Sequence, residues 1–378
     1  MGSKNKPNTQ IELSAEQLEA LVSRDNDLEE IGPEEAVDRY LRTRKDEITP
    51  STADDYRTSL ESFVEYCDEH GVNNLNNLKG RTINDYEHWR KYDSTNNVEQ
   101  LATKTMRDEL YLLKDFLKFL ERIEGVDQGT AKKVEPPEID AEEGVRDVEL
   151  KIEYLNEVVQ YLSRYEYAKR THLVIKIAKE TGRRLGGIHS LDLCDACTDV
   201  AEPYLHFRHH DDGNTRLKNG KRGEGKVNIS RDLADVIEDY VENHRVDTSD
   251  DGQEPLLTTA NGRLSKSTIR RYFYKWTRPC HIGQECPVGR DPEDCEAACD
   301  RNKASQCPES EAPHAARHGY ITHRRRQGAP TEVLSEQCDM SEEVLKKFYD
   351  ERSEEEKRKL RRKILNEVLD DEGSDVEC

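Results

Sequence analysis

The chain has 378 residues, a formal net charge of -21 and a pI of about 5.1, with 34% hydrophobic and 36% charged residues. This length suits one to three domains with modest cores. The chain has no apolar run of about 18 residues and no apolar segment at its N-terminus, so neither a transmembrane helix nor a secretory signal is predicted. We therefore expect a cytoplasmic protein.

The negative charge is unevenly distributed. Evenly spread, it would argue against nucleic-acid binding. However, Arg263–Arg278 contains six basic residues and no acid, and His314–Arg326 contains four arginines and three histidines and no acid. The two stretches indicate nucleic-acid surfaces, and solvated helix faces are the alternative interpretation. The excess of acidic residues in the rest of the chain suits a salt-rich cytoplasm. At molar salt the repulsion between these charges is screened within about 3 Å.

The N-terminal part predicts an acidic segment at residues 1–30 and a helical domain at residues 31–125. A spacing of three to four between apolar residues indicates a helix that begins after Thr49 and is closed by Gly71. Thr82, followed by an acid three residues later, is expected to cap a short helix. Four helices are predicted in all, around residues 36–41, 50–71, 82–89 and 106–120.

The C-terminal part predicts a second domain with a different pattern. Residues 126–146 are rich in Gly, Pro and acids and are predicted to be a linker. Residues 147–352 form the second domain, and residues 353–378 form a charged tail. The predicted elements of the second domain are helices through 155–162 and 173–178, strands at 204–208 and 226–229, and helices that begin at Ser230 and at Ser265 or Ser267. We expect a mostly α-helical chain with a small β-sheet in an α+β second domain.

Four positions in this second domain suit one chemistry. Arg184 lies in Thr-Gly-Arg-Arg-Leu, His314 and Arg317 form an H-x-x-R pair, and Tyr349 follows Arg317 by 32 positions. Two guanidinium forks can hold both non-bridging oxygens of a phosphodiester that a tyrosine hydroxyl attacks. Each motif alone is as well explained by a helix cap, a basic helix or a packing tyrosine, and only their combination points to this reaction.

The order and spacing of these boxes resemble the tyrosine recombinase (phage-integrase) family, Xer-like and of a salt-adapted archaeal type. The resemblance covers roughly residues 33–350. It implies a SAM-like core-binding domain that clamps DNA, followed by a catalytic domain. It also implies that Arg184 and Arg317 hold the phosphate oxygens, that His314 assists proton movement, and that Tyr349 forms a 3′-phosphotyrosyl bond.

The resemblance further implies a lysine in the turn between the two strands, which protonates the departing 5′ oxygen. Lys218 is our choice and Lys221 is the competitor. Two positions depart from the family pattern. Gly187 stands where a glutamate usually follows the first-box arginine, and Met340 stands at the third-box position, where the family has His or Trp. Methionine can pack against the tyrosine but cannot donate a hydrogen bond, so we expect modulated activity.

Five of the ten cysteines lie within residues 280–307. Cytosolic cysteines are reduced, so their clustering suggests a metal site more than disulfides. We expect a zinc-stapled insertion, with unpaired thiols as the alternative. Cys194 and Cys197 form a C-x-x-C pair that either completes a site or is a free thiol pair. The preferred zinc ligands are Cys280, Cys286, Cys295 and Cys307.

The resemblance implies a site-specific DNA recombinase or integrase that needs no cofactor for catalysis and acts on double-stranded DNA as a homotetramer. The alternatives are a type IB topoisomerase-like nicking-closing enzyme and a catalytically impaired, integrase-like accessory protein that binds DNA. The departures at Gly187 and Met340 favour the accessory protein. The expected DNA contacts of the basic helix are Lys266, Arg270, Arg271 and Lys275.

Overall fold

The structure is a computed structural model that describes residues 28–94, 100–139, 150–210, 215–250 and 252–349, the side chains of 347–349 excepted, and short pieces at 355, 358–359 and 361–362. The chain divides into two compact units, Met1–Arg146 and Asp147–Cys378. The expected acidic segment and charged tail lie almost wholly outside the described residues. No helix in the described ranges is both long and apolar enough to cross a membrane.

The N-terminal unit is helical. Its helices are α1 (Pro33–Thr43), α2 (Pro50–Glu69), α3 (Gly80–His88, extended by a π-helical turn, Trp89–Asp93) and α4 (Thr103–Arg122). Helix α2 begins after Thr49, as the sequence predicted, and the Thr49 hydroxyl caps it by accepting from the Thr52 amide at 3.2 Å. The expected cap at Thr82 is wrong. Helix α3 begins earlier because Lys79 is extended and its carbonyl accepts from the Ile83 amide at 3.1 Å.

One aromatic ring from each of the four helices meets at the centre of this unit. Phe63 lies edge to face on Tyr86 and Phe116, at centroid distances of 5.2 and 6.2 Å, and Tyr40 lies edge to face on Phe116 at 5.5 Å. All four are almost completely buried. Such pairs contribute about 0.5–1.5 kcal/mol each beyond their burial. The predicted four-helix arrangement is thus held together by contacts that cross the whole bundle.

The predicted linker begins later than expected. Val126, Ala131 and Val134 are buried in the core of the N-terminal unit, and Ala131–Lys133 forms a single 3₁₀ turn. The content of Gly, Pro and acids predicted a linker, but three apolar side chains attach the first part of this stretch to the bundle. Residues 140–146 of the predicted linker lie outside the described residues.

The C-terminal unit combines helices with two small antiparallel sheets. One sheet has the order β1-β2-β3 and the other is the hairpin β4-β5. The strands are β1 (Ala196–Cys197), β2 (Tyr204–Phe207), β3 (Gly225–Asn228), β4 (Thr258–Thr259) and β5 (Gly262–Arg263). The helices are α5 (Ile152–Tyr165), α6 (Arg170–Thr181), α7 (Leu185–Ser190), α8 (Arg231–Asn243), α9 (Lys266–Trp276), α10 (Glu296–Cys299), α11 (Pro313–Arg326), α12 (Thr331–Cys338) and α13 (Glu342–Tyr349).

Helix α6 is the central helix of this unit. Residues 173–178 are buried on every side, as expected for a helix that is surrounded by others. It packs against α5, α8, α9 and α11. Serine side chains start two of the neighbouring helices: Ser230 Oγ accepts from the Leu233 amide at 3.1 Å, and Ser265 Oγ accepts from the Thr268 amide at 3.2 Å. Ser265, and not Ser267, therefore begins the basic helix α9.

His172 is a neutral histidine inside α6 with no exposed surface. The Ala168 amide donates to Nδ1 at 3.2 Å, so the ring proton is on Nε2, which lies 3.0 Å from Ser163 Oγ. Burial lowers the pKa of His172 to about 4, and the nearby Lys176 charge lowers it as well, while Asp232 acts in the opposite direction. Protonation would also break the bond from Ala168.

The burial of neutral His172 predicts that the folded protein loses stability in mild acid. An unfolded histidine titrates near pH 6.5, so below that pH the unfolded state takes up a proton that the folded state refuses. The free energy of unfolding should fall as the pH drops from about 6.5 to about 4, by up to about 1.4 kcal/mol per pH unit for one histidine. His172→Gln should flatten this dependence in chemical denaturation at pH 7 and pH 5. The exposed His244→Gln is the matched control, and an unchanged slope in H172Q would refute the assignment.

Candidate active site

The turn that carries the first-box arginine is fixed by a glycine. Helix α6 ends at Thr181 because Gly182 adopts a left-handed conformation with φ of 61°. A Cβ atom at Gly182 would lie 2.3 Å from Cδ1 of Tyr320. Only glycine fits this close approach. The chain then turns outward, and Arg184 becomes the N-cap residue of α7.

The two adjacent arginines have different environments. Arg183 is buried, stacks on the Phe207 ring at 4.5 Å and donates to the Gly223 carbonyl at 2.7 Å. Burial lowers the pKa of Arg183, and the negative charge of Asp339 acts in the opposite direction. The Arg184 side chain is 26% exposed. Arg183 therefore holds the strands and the turn together, and Arg184 is the arginine that can meet a ligand.

Arg184 is oriented by an acid that the sequence interpretation missed. Its Nη1 donates to Oδ2 of Asp339 at 2.8 Å and also to the Asp339 carbonyl. Asn219 Nδ2 donates to the other carboxylate oxygen at 2.7 Å. Asp339 is 8% exposed and left-handed, with φ of 52°, a conformation that Asp tolerates better than most residues. At Gly187, where the family has an acid, Phe207 fills the space instead.

Arg317 connects the second box to the first. It is 2% exposed, and its Nη1 donates to the Gly182 carbonyl at 2.7 Å and to the Cys338 carbonyl. Pro313 begins α11, and His314 and Arg317 lie one turn apart on this helix. The guanidinium thus ties together the turn before Arg184, helix α11 and the turn that contains Asp339.

His314 is exposed at the start of α11, yet the surrounding groups lower its pKa. Desolvation by neighbouring atoms is the largest cause, and the positive charges of Arg317, His318, Arg184 and Lys218 follow in that order. Three predicted site residues from three separate segments, Arg184, Lys218 and Arg317, therefore act on the same imidazole. This is an environment built to receive an anion.

Lys218 is linked to this cluster through its neighbour Asn219. Both lysines are exposed in the connection between β2 and β3. Lys218 is among the positive charges that lower the pKa of His314, and Lys221 lies in the 3₁₀ turn Gly220–Gly223. The neighbour of Lys218, Asn219, is bonded to Asp339. The bond from Asn219 anchors the base of the lysine-bearing turn beside Arg184.

Met340 is a packing residue. It is 7% exposed and lies in a small apolar cluster, and its carbonyl accepts from Ser335 Oγ at 2.6 Å. The cluster also contains Tyr320, Ile321, Leu334, Cys338 and Leu345. Met340 therefore helps to hold α12 and α13 against α11.

Tyr349 is the last residue of α13. Its side chain lies outside the described residues. Leu345, one turn earlier on the same helix, is completely buried in the apolar cluster of Met340. Residues four apart share a helix face, so the backbone position of Tyr349 is on the face that α13 turns toward α11.

The basic helix α9 has two kinds of cations. Lys266 and Arg270, one turn apart, are exposed. Arg271 is half-buried and donates to Thr268 Oγ1 at 2.9 Å, and Lys275 lies over the Trp276 ring at 4.6 Å, where burial lowers its pKa. Of the four cations predicted to contact DNA, Lys266 and Arg270 are therefore the two that are exposed.

The ends of the Arg263–Arg278 basic stretch are internal, contrary to its interpretation as one surface. The Arg263 side chain is 3% exposed and donates to Asp192 Oδ1 at 2.7 Å. Arg278 is 2% exposed and donates to the Lys275 carbonyl at 3.3 Å and to the Ala297 carbonyl. Counting charges along the sequence cannot distinguish a cation that satisfies buried carbonyls from one that faces solvent.

The cysteines of the insertion gather in one place. Cys280, Cys286, Cys295 and Cys307 line a single small cavity. Among the described residues, no three His, Cys, Asp or Glu side chains are already arranged as a metal site. Cys194 is exposed and accepts from Arg208 Nη2 at 2.7 Å, apart from this cavity.

Comparison with known proteins identifies the fold. Residues 35–126 match the family model described as phage integrase, N-terminal SAM-like domain. The Tn1549 transposon integrase in complex with a circular intermediate DNA is 13% identical, with 88% of this chain and 99% of that chain covered, at a TM-score of 0.61. A lambda integrase dimer bound to a COC' core site is 14% identical, with 89% and 81% covered, at a TM-score of 0.57.

A third structure is the N-terminal domain of a phage integrase/site-specific recombinase from Haloarcula marismortui, 29% identical, with 29% of this chain and 99% of that chain covered, at a TM-score of 0.27. No match was found among curated proteins. Residues 35–126 therefore form a phage-integrase SAM-like domain, and the chain has an integrase fold. The predicted fold class, mostly helical with a small sheet, is confirmed.

Proposed function

We propose that this chain is a site-specific tyrosine recombinase, Xer-like and adapted to a salt-rich archaeal cytoplasm. The observation that carries the proposal is the convergence of three segments of the integrase fold on the turn that contains Cys338 and Asp339. Arg317 donates to the Cys338 carbonyl, Arg184 donates to the Asp339 carboxylate, and Asn219, the neighbour of Lys218, donates to the same carboxylate. Separate segments converge on one anion-receiving place, which a solvated basic helix or an isolated cap would not require.

In the proposed reaction, the Tyr349 hydroxyl attacks a DNA phosphorus and the bond from phosphorus to the 5′ oxygen breaks. Arg184 and Arg317 stabilise the charge on the non-bridging oxygens. His314 assists removal of the tyrosine proton, and Lys218 gives a proton to the departing 5′ oxygen. A 5′ hydroxyl of the partner strand then attacks the 3′-phosphotyrosyl bond and releases the tyrosine. No cofactor takes part, because each exchange replaces one phosphoester with another.

Double-stranded DNA is the proposed substrate, bound by a homotetramer. The lambda and Tn1549 integrases that share the fold are DNA complexes, and one lambda integrase structure is a tetramer bound to a Holliday junction. Asp339 takes a positioning role in this proposal. Its carboxylate supplies, from the turn after α12, the acidic partner for Arg184 that Gly187 cannot provide.

A substrate with sulfur in place of the bridging 5′ oxygen tests the role of Lys218. A thiolate is a far better leaving group than an alkoxide and needs no protonation to depart. Lys218→Ala should cleave ordinary DNA slowly, by a factor on the order of 10², and should recover nearly normal cleavage on the sulfur-containing duplex. Lys221→Ala is the matched control and should lose little on either substrate. Rescue of the Lys221 variant instead would assign the general acid to Lys221.

The exposed face of α9 predicts a change in the salt dependence of DNA binding. Each phosphate contact releases condensed counterions and contributes about 0.9 to the slope of log affinity against log salt. Replacing both Lys266 and Arg270 with alanine should weaken binding at every salt concentration and reduce this slope by about 2. Fluorescence anisotropy from low to molar salt measures it, with the exposed Arg301→Ala as control. An unaltered slope would remove α9 from the DNA interface.

A further inference from the structure

The insertion between α9 and α11 has too small an apolar core to hold its shape. Of residues 279–312, the buried apolar side chains are Ile282, Ala297 and Ala304. Burying one isoleucine contributes about 1.5–3 kcal/mol, whereas ordering each residue's backbone costs about 1–2 kcal/mol. The segment nevertheless forms two 3₁₀ turns, Pro279–Ile282 and Ala304–Gln306, and the helix α10. Another interaction must supply the ordering free energy.

The thiols offer that interaction. Cys280, Cys286, Cys295 and Cys307 line one cavity of about 10 Å³, close to the volume of one water-sized probe. No carboxylate or imidazole lines it. The cavity is therefore sized for a single small atom, and its donors are sulfur alone, the set that selects zinc over magnesium or calcium.

The fifth cysteine of the cluster is turned elsewhere. The Cys299 thiol faces the carbonyl oxygens of Glu293 at 3.1 Å and Pro292 at 3.5 Å, and it does not line the cavity. The five cysteines thus divide into four that share a cavity and one that does not. Four is the coordination number of structural zinc sites.

The charges around the cavity suit the same ligand. Four thiolates on one Zn²⁺ would carry a net charge of about -2. Arg278 and Arg290 line the cavity, and Arg278 is 2% exposed. The bonds that Arg278 makes go to the neutral carbonyls of Lys275 and Ala297. An anionic metal centre would give this buried guanidinium the counter-charge that those carbonyls do not.

We propose that Cys280, Cys286, Cys295 and Cys307 bind one structural Zn²⁺. Because no complete ligand arrangement is present among the described residues, the thiols must turn toward the centre of the cavity and lose their protons as the metal enters. This inference does not depend on the proposed recombinase activity.

The site would also affect the neighbouring second box. The two ends of the insertion meet where the Glu311 amide donates to Thr277 Oγ1 at 2.7 Å. Glu311 lies three residues before His314 on the chain. A zinc ion that closes the loop between these ends would fix the approach to α11, and so the position of the imidazole.

Metal content of the full chain tests the proposal. Protein purified under reducing conditions without added metal should contain about one zinc per chain by elemental analysis. Cys286→Ser and Cys307→Ser should each lose most of it, and Cys299→Ser, the matched control, should keep it. Zinc retained in both ligand variants, or lost equally in the Cys299 variant, would overturn the ligand assignment.

A second measurement on the unmutated protein covers the case in which a serine variant fails to fold. Thiol alkylation, mapped by mass spectrometry before and after chelation, should leave the four proposed ligands protected until zinc is removed and should modify Cys299 in both states. Limited proteolysis should then cut within residues 280–307 only after chelation. Zinc-free protein in which the four thiols and the insertion are equally protected would refute the site.

Discussion

Replacing Tyr349 with phenylalanine is expected to abolish covalent attachment of the protein to DNA while leaving DNA affinity nearly unchanged. The substitution removes one hydroxyl and retains the ring, so α13 should still pack through Leu345 on the apolar cluster. Tyr349 is the nucleophile in the proposed reaction, so the covalent adduct should be lost completely. Adduct formation on a nicked duplex and anisotropy on the intact duplex measure the two properties.

Tyr320→Phe is the matched control for this prediction. Tyr320 lies on α11 close to Arg317, but it is 3% exposed and its hydroxyl accepts from Gln337 Nε2. Its ring also packs against Gly182. We expect this variant to form the adduct. An adduct that persists in Y349F and disappears in Y320F would move the nucleophile to Tyr320.

Arg184→Ala is expected to slow cleavage by a factor on the order of 10² or more, because a preorganised anion clamp loses a donor. Arg184→Lys should recover little, since an ammonium is a point charge and cannot make a two-pronged contact. Arg184→Ala also leaves the Asp339 carboxylate, which is 8% exposed, without this donor, so this variant should lose stability as well, and Arg184→Lys, which keeps a positive charge near Asp339, should lose less. Single-turnover cleavage and chemical denaturation separate the two quantities, and normal cleavage by the lysine variant would refute the clamp.

Arg317→Ala is expected to affect a guanidinium that is almost completely buried. Removing its guanidinium leaves the buried carbonyls of Gly182 and Cys338 without this donor, at a cost of about 1–3 kcal/mol each. This variant should therefore lose both stability and cleavage. An Arg317→Ala variant as stable as the unmutated protein would show that Arg317 does not support the turn before Arg184.

The features that could be predicted from the sequence are those that depend on local patterns of residues. Spacing of apolar residues located most helices, and serine caps located the starts of α8 and α9, because these signals act within a few residues. The interval between His314 and Arg317 fixes their relative position on one helix. These features need no knowledge of the tertiary structure.

Features that depend on distant contacts were missed. Asp339 supports Arg184 across 155 positions of sequence, and nothing near either residue signals the pairing. Gly187 suggested a missing acid, but the replacement comes from another element. Likewise, Arg263 and Arg278 look like surface cations in the sequence and are buried in the fold, where they satisfy an aspartate and backbone carbonyls.

Trapping the covalent intermediate decides whether Tyr349 is the nucleophile. Duplexes are first selected from a random-sequence pool by binding to the full chain. Each selected duplex is then nicked near the centre of the bound region. After cleavage the short fragment diffuses away, so religation cannot occur and the covalent intermediate is trapped. The trapped protein is digested and the DNA-linked peptide is sequenced by mass spectrometry. Our account predicts a 3′-phosphate linkage on Tyr349. Tight, selective binding with no covalent adduct on any nicked duplex would contradict it and indicate an accessory DNA-binding protein.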